Sequence, residues 1–171
     1  MKATLPILFL SLFSLSFNPV FGQDDEGYKE ALVNGAVFRW RINSGNLECE
    51  LKAPTPGWVA VGFKSTSGIV QSNQIMGSFS GGIATCEDHT VIDLRNHVPV
   101  EDVGGSNALI SCDVIESNGY TELFFSLPAT AYDGYHYNFE EGEEMFVTIS
   151  YSRNDDFISH PVKQVQIRII L

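Results

Sequence analysis

The sequence predicts an all-β chain, an antiparallel β-sandwich of about eight or nine strands. Short β-rich runs recur along it, separated by turn residues at fairly regular intervals. No stretch keeps the helical apolar period over the length of a long helix. An Asn-Gly pair at Asn118-Gly119 joins two of the runs, and such a pair between β-rich segments is the strongest short-range hairpin signal.

The first segment is of another kind. Residues 1–22 carry one lysine, Lys2, then an apolar run to Phe17 and small residues ending at Gly22, the three-part pattern of a secretory signal. The run is broken by Ser11, Ser14, Ser16 and Asn18-Pro19, so it falls short of the roughly 20 apolar residues of a membrane span. A secreted, extracellular protein cut after Gly22 is expected, with no membrane insertion. Residues 23–34 then read as an acidic N-terminal segment and 35–171 as the sandwich domain.

Within that domain, Val37–Ile42 alternates apolar and basic residues as a half-buried strand should, and Leu47–Leu51 alternates again after the turn Asn43-Ser44-Gly45-Asn46. Trp58–Phe63 is almost wholly apolar, which suits a strand buried on both sides or lining a pocket. Gln74–Phe79 and Thr90–Leu94 are shorter candidates, and Ala108–Ile115 and Tyr120–Leu127 flank the Asn-Gly turn. Met145–Tyr151 and the strictly alternating Val162–Ile169 complete the set. That number of strands is enough for two sheets packed face to face, an immunoglobulin-like two-sheet architecture.

The net charge is −11, and −12 once Lys2 leaves with the signal. Such a surface repels phosphate backbones and anionic lipid, so no nucleic-acid partner is expected. Three cysteines remain, Cys49, Cys86 and Cys112. An oxidising compartment lets two of them pair, and Cys86 with Cys112 is the expected disulfide. The odd cysteine leaves a structural extracellular or matrix protein among the alternatives.

The chemistry-bearing residues are few. His89, His97, His136 and His160 share no zinc-type spacing, so no metal site is expected. His89 falls in the polar stretch Cys86-Glu87-Asp88-His89, and it, His97 and His136 read as surface histidines of turns and loops. His160 differs, because Phe157-Ile158-Ser159-His160-Pro161 sets it in apolar surroundings between the last two strands; a neutral imidazole there can ligate a metal or haem iron. No nucleophile elbow, activated cysteine or phosphate-cradling loop is present. No catalytic residues are assigned, and the protein is not expected to be an enzyme.

In order and spacing, several segments resemble the DOMON domain family. They are Gly57–Phe63 with its following Gly-containing loop, Ile75-Met76-Gly77, and Val91-Ile92-Asp93. The Asn118-Gly119 hairpin into Phe124–Pro128 follows, then Asp133, Glu141-Gly142 and a final apolar strand leading to His160. Together they span roughly 35–165. The resemblance implies a β-sandwich of secreted or cell-surface proteins, with one of two roles: b-type haem binding in electron transfer, or recognition of sugars and other small ligands. In haem-binding members iron sits between a methionine and a histidine, and the histidine matches His160. The methionine position holds Val70, which cannot ligate iron. Met76, six residues on, is the remaining candidate, about 20 Å further along a strand.

The expected function is therefore a non-catalytic ligand-binding domain for a glycan, sugar or small apolar molecule. The alternative is a haem b electron carrier, with His160 and Met76 as the cofactor-binding residues and a separate redox partner.

Overall fold

The computed structural model describes residues 21–23 and 26–171. The expected signal segment 1–22 therefore lies outside the described residues, apart from Phe21 and Gly22. Among the described residues the chain forms β1 (Phe21–Gln23), β2 (Lys29–Val33), β3 (Ala36–Asn43), β4 (Asn46–Ala53), β5 (Val59–Lys64) and β6 (Asn73–Ser80). After these come β7 (Ile83–Asp93), β8 (Asn96–Pro99), a 3-10 turn at Val100–Val103, β9 (Ser111–Ser117), β10 (Tyr120–Pro128), β11 (Glu144–Tyr151) and β12 (Lys163–Ile170). No helix among them is long and apolar enough to cross a membrane.

The expected sandwich is what forms. One sheet runs β1-β2-β3-β4-β10-β9 and the other β12-β11-β5-β6-β7-β8, with every pairing antiparallel. The tight hairpins follow from local sequence. Asn34-Gly35, Ser44-Gly45 and Asn118-Gly119 all have positive φ at both residues, the conformation that matches the twist of the strands a two-residue turn joins.

The core lies between the sheets. Alternate residues of each strand turn inward: Phe38 and Trp40, Leu47 and Leu51, Val61 and Phe63, Leu123, Phe125 and Leu127, Val147 and Ile149 are all buried. Each such side chain contributes about 1.5–3 kcal/mol of hydrophobic free energy relative to exposure. Gly77 lets the two sheets approach closely. A Cβ there would lie 2.7 Å from Leu123 and 2.9 Å from Val114. The expected disulfide is present: Cys86 on β7 is bonded to Cys112 on β9, tying the two sheets together. Cys49, the odd cysteine, is buried in the core and is not presented for bridging to another chain.

The strands outnumber the eight or nine expected. β2 lies inside the segment 23–34, where Tyr28, Ala31 and Val33 are buried, so the sandwich starts before residue 35. Acidic composition hid it, although Asn34-Gly35 carried the hairpin signal. β7 starts at Ile83 rather than Thr90. Its stretch Cys86–His89 is strand and not a polar turn, with Asp88 and His89 buried in hydrogen bonds on opposite faces of the sheet.

Candidate ligand-binding site

The outer faces of the two sheets are built differently. On the β3-β4-β10 face, opposite charges stand directly across from each other in register: Arg39 with Glu50, Arg41 with Glu48, and Lys52 with Glu122. The Tyr28 ring lies against both guanidinium groups, 4.6 Å from Arg39 and 4.3 Å from Arg41. Each such partly exposed ion pair contributes no more than about 1 kcal/mol, and an open cleft of about 280 Å³ runs beside them, lined by Tyr28, Glu48, Glu50, Asp113 and Phe124 among others.

The outer face of the second sheet is covered instead. Trp58, Ala60, Gln74, Met76, Ser78, His89, Thr148 and Ser150 are all buried there, while their neighbours Val59, Val61, Ile75, Val147 and Ile149 fill the core on the other side. The central strands are thus buried on both faces, which is why Trp58–Phe63 reads as an unbroken apolar run.

The cover comes mainly from the segment 152–162 between β11 and β12. Its start is fastened to the sheet: Trp58 N–H donates to the Asn154 carbonyl at 3.0 Å, Ser152 N–H to the Trp58 carbonyl at 2.9 Å, and the Thr55 hydroxyl to the Ser152 carbonyl. Gly57 permits this approach, since a Cβ there would sit 2.4–2.5 Å from the Arg153–Asn154 backbone. Further along, Phe157 packs down on Trp58, Ala60 and Met76.

Two clefts remain beside Phe157. The smaller, about 70 Å³, is lined by Trp58, Ile69, Gln74, Val91, Arg95, His97, Ser150, His160 and Gln164 among others. The larger, about 580 Å³, is lined by Ser78, Thr85, Glu87, His89, His97, Asp155, Asp156 and Phe157 among others. His97 and Ile158 border both. Both clefts are open to solvent, and each combines polar with aromatic lining residues, the mixture that small-molecule sites use.

Three histidines read as surface residues prove to be built in. His89 is buried, with Nε2 2.6 Å from Glu87 Oε2 and Nδ1 2.9 Å from His97 Nδ1. Burial, with the adjacent His89 charge, pushes His97 below the usual histidine range, against an opposing hydrogen bond to the Phe157 backbone. The His136 side chain is 5% exposed and bridges Asp88 and Asp133, at 3.0 and 2.6 Å. A local reading gave no sign of these burials, because the covering groups come from distant parts of the chain. Among the described residues, no group of three or more His, Cys, Asp or Glu side chains is placed to hold a metal ion.

The two predicted cofactor residues differ in their exposure. Met76 lies fully buried on β6 between Ala60 and Glu87, beneath Phe157. His160 is exposed at the rim of the smaller cleft; its backbone carbonyl accepts from Ser152. Val70 gives its carbonyl to Lys64 Nζ at 2.5 Å, and its neighbour Ile69 faces the smaller cleft.

The fold is shared with a cytochrome b domain. That of pyranose dehydrogenase from Coprinopsis cinerea matches with a TM-score of 0.64 at 9% identity, over 90% of this chain and 88% of that one. The cytochrome domain of Myriococcum thermophilum cellobiose dehydrogenase matches with a TM-score of 0.49 at 11% identity, over 80% of this chain and 76% of that one. No protein-family model and no curated protein matches the sequence.

Haem is the cofactor that the sequence resemblance implies, and these residues do not offer it a methionine–histidine pair in one cleft. Met76 is not among the residues lining either cleft, Ile69 and Val70 offer no donor, and the space that His160 borders, about 70 Å³, is well below the roughly 300–1,000 Å³ of ordinary ligand pockets.

Proposed function

We propose that this chain is a secreted, non-catalytic domain that binds one small ligand on the covered outer face of the second sheet. A single observation carries the reading: two sheets of one sandwich have opposite outer faces, one a ladder of solvated ion pairs and the other a buried floor of Trp58, Met76, Gln74 and Ser150 under an anchored segment. A sandwich needs only its inner faces buried in order to fold. Covering a further face, while leaving clefts in it, is an arrangement that serves binding.

A second reading, a b-type haem carrier with a separate redox partner, draws support from the likeness to the cytochrome b domain of pyranose dehydrogenase. That likeness favours haem over a sugar, and His160 at the cleft rim is consistent with it. Against it stand the lack of a methionine among the residues lining the cleft that His160 borders, and the size of that cleft.

One titration separates the two. Haemin is added to the purified secreted protein, and the complex is then reduced. The ligand-binding reading expects no saturable change in the Soret band. A one-to-one Soret shift with sharp reduced bands, lost in His160→Ala, would replace it with the haem reading.

A further inference from the structure

We propose that His97 is an acid-sensitive latch on the segment 152–162: protonation of its ring releases Phe157 and lifts the middle of the segment off the second sheet. The proposal goes beyond the ligand-binding reading and does not rest on it, because it concerns how the cover is held down and not what lies beneath.

The latch is a chain of hydrogen bonds running from β7 through β8 to the cover. On β7, Glu87 Oε2 lies 2.6 Å from His89 Nε2. His89 Nδ1 lies 2.9 Å from Nδ1 of His97 on β8, and the His97 ring is hydrogen-bonded to the Phe157 backbone in the cover. Phe157 also meets His89 edge-on, with ring centroids 6.2 Å apart, and packs on Trp58, Ala60 and Met76. Backbone hydrogen bonds pin the ends of the cover, Trp58 to Asn154 and Val162 to Tyr151. The middle lacks such ties to the sheet. Among the described residues, the other hydrogen bonds of residues 155–159 stay within the segment: Ser159 N–H to the Asp156 carbonyl, Ile158 N–H to the Asp156 carboxylate, and the Asn154 amide to the Ser159 hydroxyl. Phe157 packing and the His97 link therefore hold it down.

Proton counting shows why the link fails in acid. A neutral imidazole has one N–H and one lone pair. The Phe157 bond favours the charged ring, so the ring donates it to the backbone carbonyl. That leaves the Nδ1 lone pair of His97 to accept from Nδ1–H of His89. A second proton on His97 sets N–H against N–H at hydrogen-bond distance, with no acceptor between them. His89 cannot yield, since it is 4% exposed and clamped by Glu87. His97 can, because it is half-buried on β8, the four-residue edge strand of the sheet.

The surrounding charges set the direction. β7 presents Glu87 and His89 to the ring, while the end of β7 and its turn bring Asp93 and Arg95 to the smaller cleft. The cover brings Asp155 and Asp156 to the larger cleft and His160 to the smaller. Glu101 and Asp102 of the 3-10 turn after β8 are exposed. Burial, then the His89 charge, holds His97 below the usual histidine range and outweighs the Phe157 bond and Glu87. A released His97 titrates near its ordinary value of about 6.5. The closed cover is thus favoured in full above that value, and the preference is lost as the pH falls through the lower one.

The test is hydrogen exchange of the purified secreted protein, without ligand, from about pH 8 to about pH 5, corrected for the intrinsic pH dependence of amide exchange. Protection across residues 155–159 is expected to be full above about pH 6.5 and to fall progressively below it, while β5 and β11 keep theirs. Imidazole nitrogen shifts of the wild type follow His97 directly, and the fall is expected to end as that ring becomes fully charged. His97→Gln keeps an acceptor for His89 and a donor for Phe157 but takes up no proton, and is expected to stay protected through the whole range. His160→Gln removes the exposed histidine of the cover itself and is expected to respond as the wild type does. Protection independent of pH in the wild type, a response that survives in folded His97→Gln, or one lost in His160→Gln would overturn the latch. If His97→Gln does not fold, a wild-type fall in protection without protonation of His97 does the same. Haemin and ligand titrations bear on the ligand-binding reading alone, so the two can fail separately.

Discussion

His136 Nε2 lies 3.0 Å from Oδ2 of Asp88, a carboxylate whose side chain is fully withdrawn from solvent. The same ring reaches Asp133 with its other nitrogen, while Asp88 also accepts from Asn73 Nδ2 and from the Ala108 backbone. One histidine thus joins the residue 129–138 loop to the middle of β7. Breaking a buried pair of this kind costs about 3 kcal/mol, because a charge is left behind without its partner. His136→Gln should therefore lower the melting temperature by about 6–12 °C for a domain of this size. A change within 2 °C, measured by calorimetry, would show that the bridge carries little.

The same cluster makes stability depend on pH. Burial pushes His136 down, but its hydrogen bonds and charge contacts with Asp88 and Asp133 outweigh that and hold it above the usual histidine value. Its contribution is complete below about pH 6.5 and is lost as the pH rises through the raised folded value. Burial pushes Asp133 up, and hydrogen bonds from the Tyr135 backbone, His136 and the Ser106 backbone more than reverse it. Its contribution is present above the ordinary aspartate range and disappears on acidification. Thermal melts should show a plateau on the acid side of neutrality and a decline above it. His136→Gln should flatten that decline.

Replacing Cys86 and Cys112 together by serine removes a cross-link of 26 residues between the sheets. Loop-closure entropy assigns it about 3–4 kcal/mol. Urea unfolding of the double variant should show a loss of that order. An unchanged midpoint would mean that packing alone holds β7 against β9.

Gly57→Ala should lift the cover segment, because the new Cβ would meet the Arg153–Asn154 backbone. The cost expected of such overpacking is about 1–3 kcal/mol. Faster hydrogen exchange across residues 152–162 is the direct readout. Exchange as slow as in the wild type would mean that the segment is anchored by other contacts.

The Cys49 thiol is fully buried, and burial, with the charges of Glu50 and Glu48, pushes its pKa well above the usual value. A thiol reagent should label it only as fast as the sandwich opens. Rapid labelling of the native protein would show that the edge between β4 and β10 breathes.

Much of the fold could be read from local pattern. Alternation in Val37–Ile42 and Leu47–Leu51 gave the strands their faces, and Asn118-Gly119 gave a hairpin, because both signals are local consequences of backbone geometry. β7 escaped that reading. Its Asp88 and His89 are polar yet buried on opposite faces, and hydrophobic periodicity registers only apolar burial. β2 escaped for a compositional reason: its acidic surroundings read as a solvated tail.

The candidate site was legible only at its floor. The unbroken apolar run Trp58–Phe63 already announced a strand with no wet face, and His160 was already singled out beside the last strand. Which groups cover that floor follows from the path of residues 152–162 over β5 and β6. That path depends on contacts between positions about a hundred residues apart in the chain, such as Thr55 with Ser152, and a linear pattern carries no record of them. Periodicity and turn chemistry therefore sufficed for an antiparallel sandwich. The burial of Met76, the exposure of His160 and the placing of Trp58 and Ser150 in one cleft came from long-range packing, because burial belongs to the folded surface and not to any one residue.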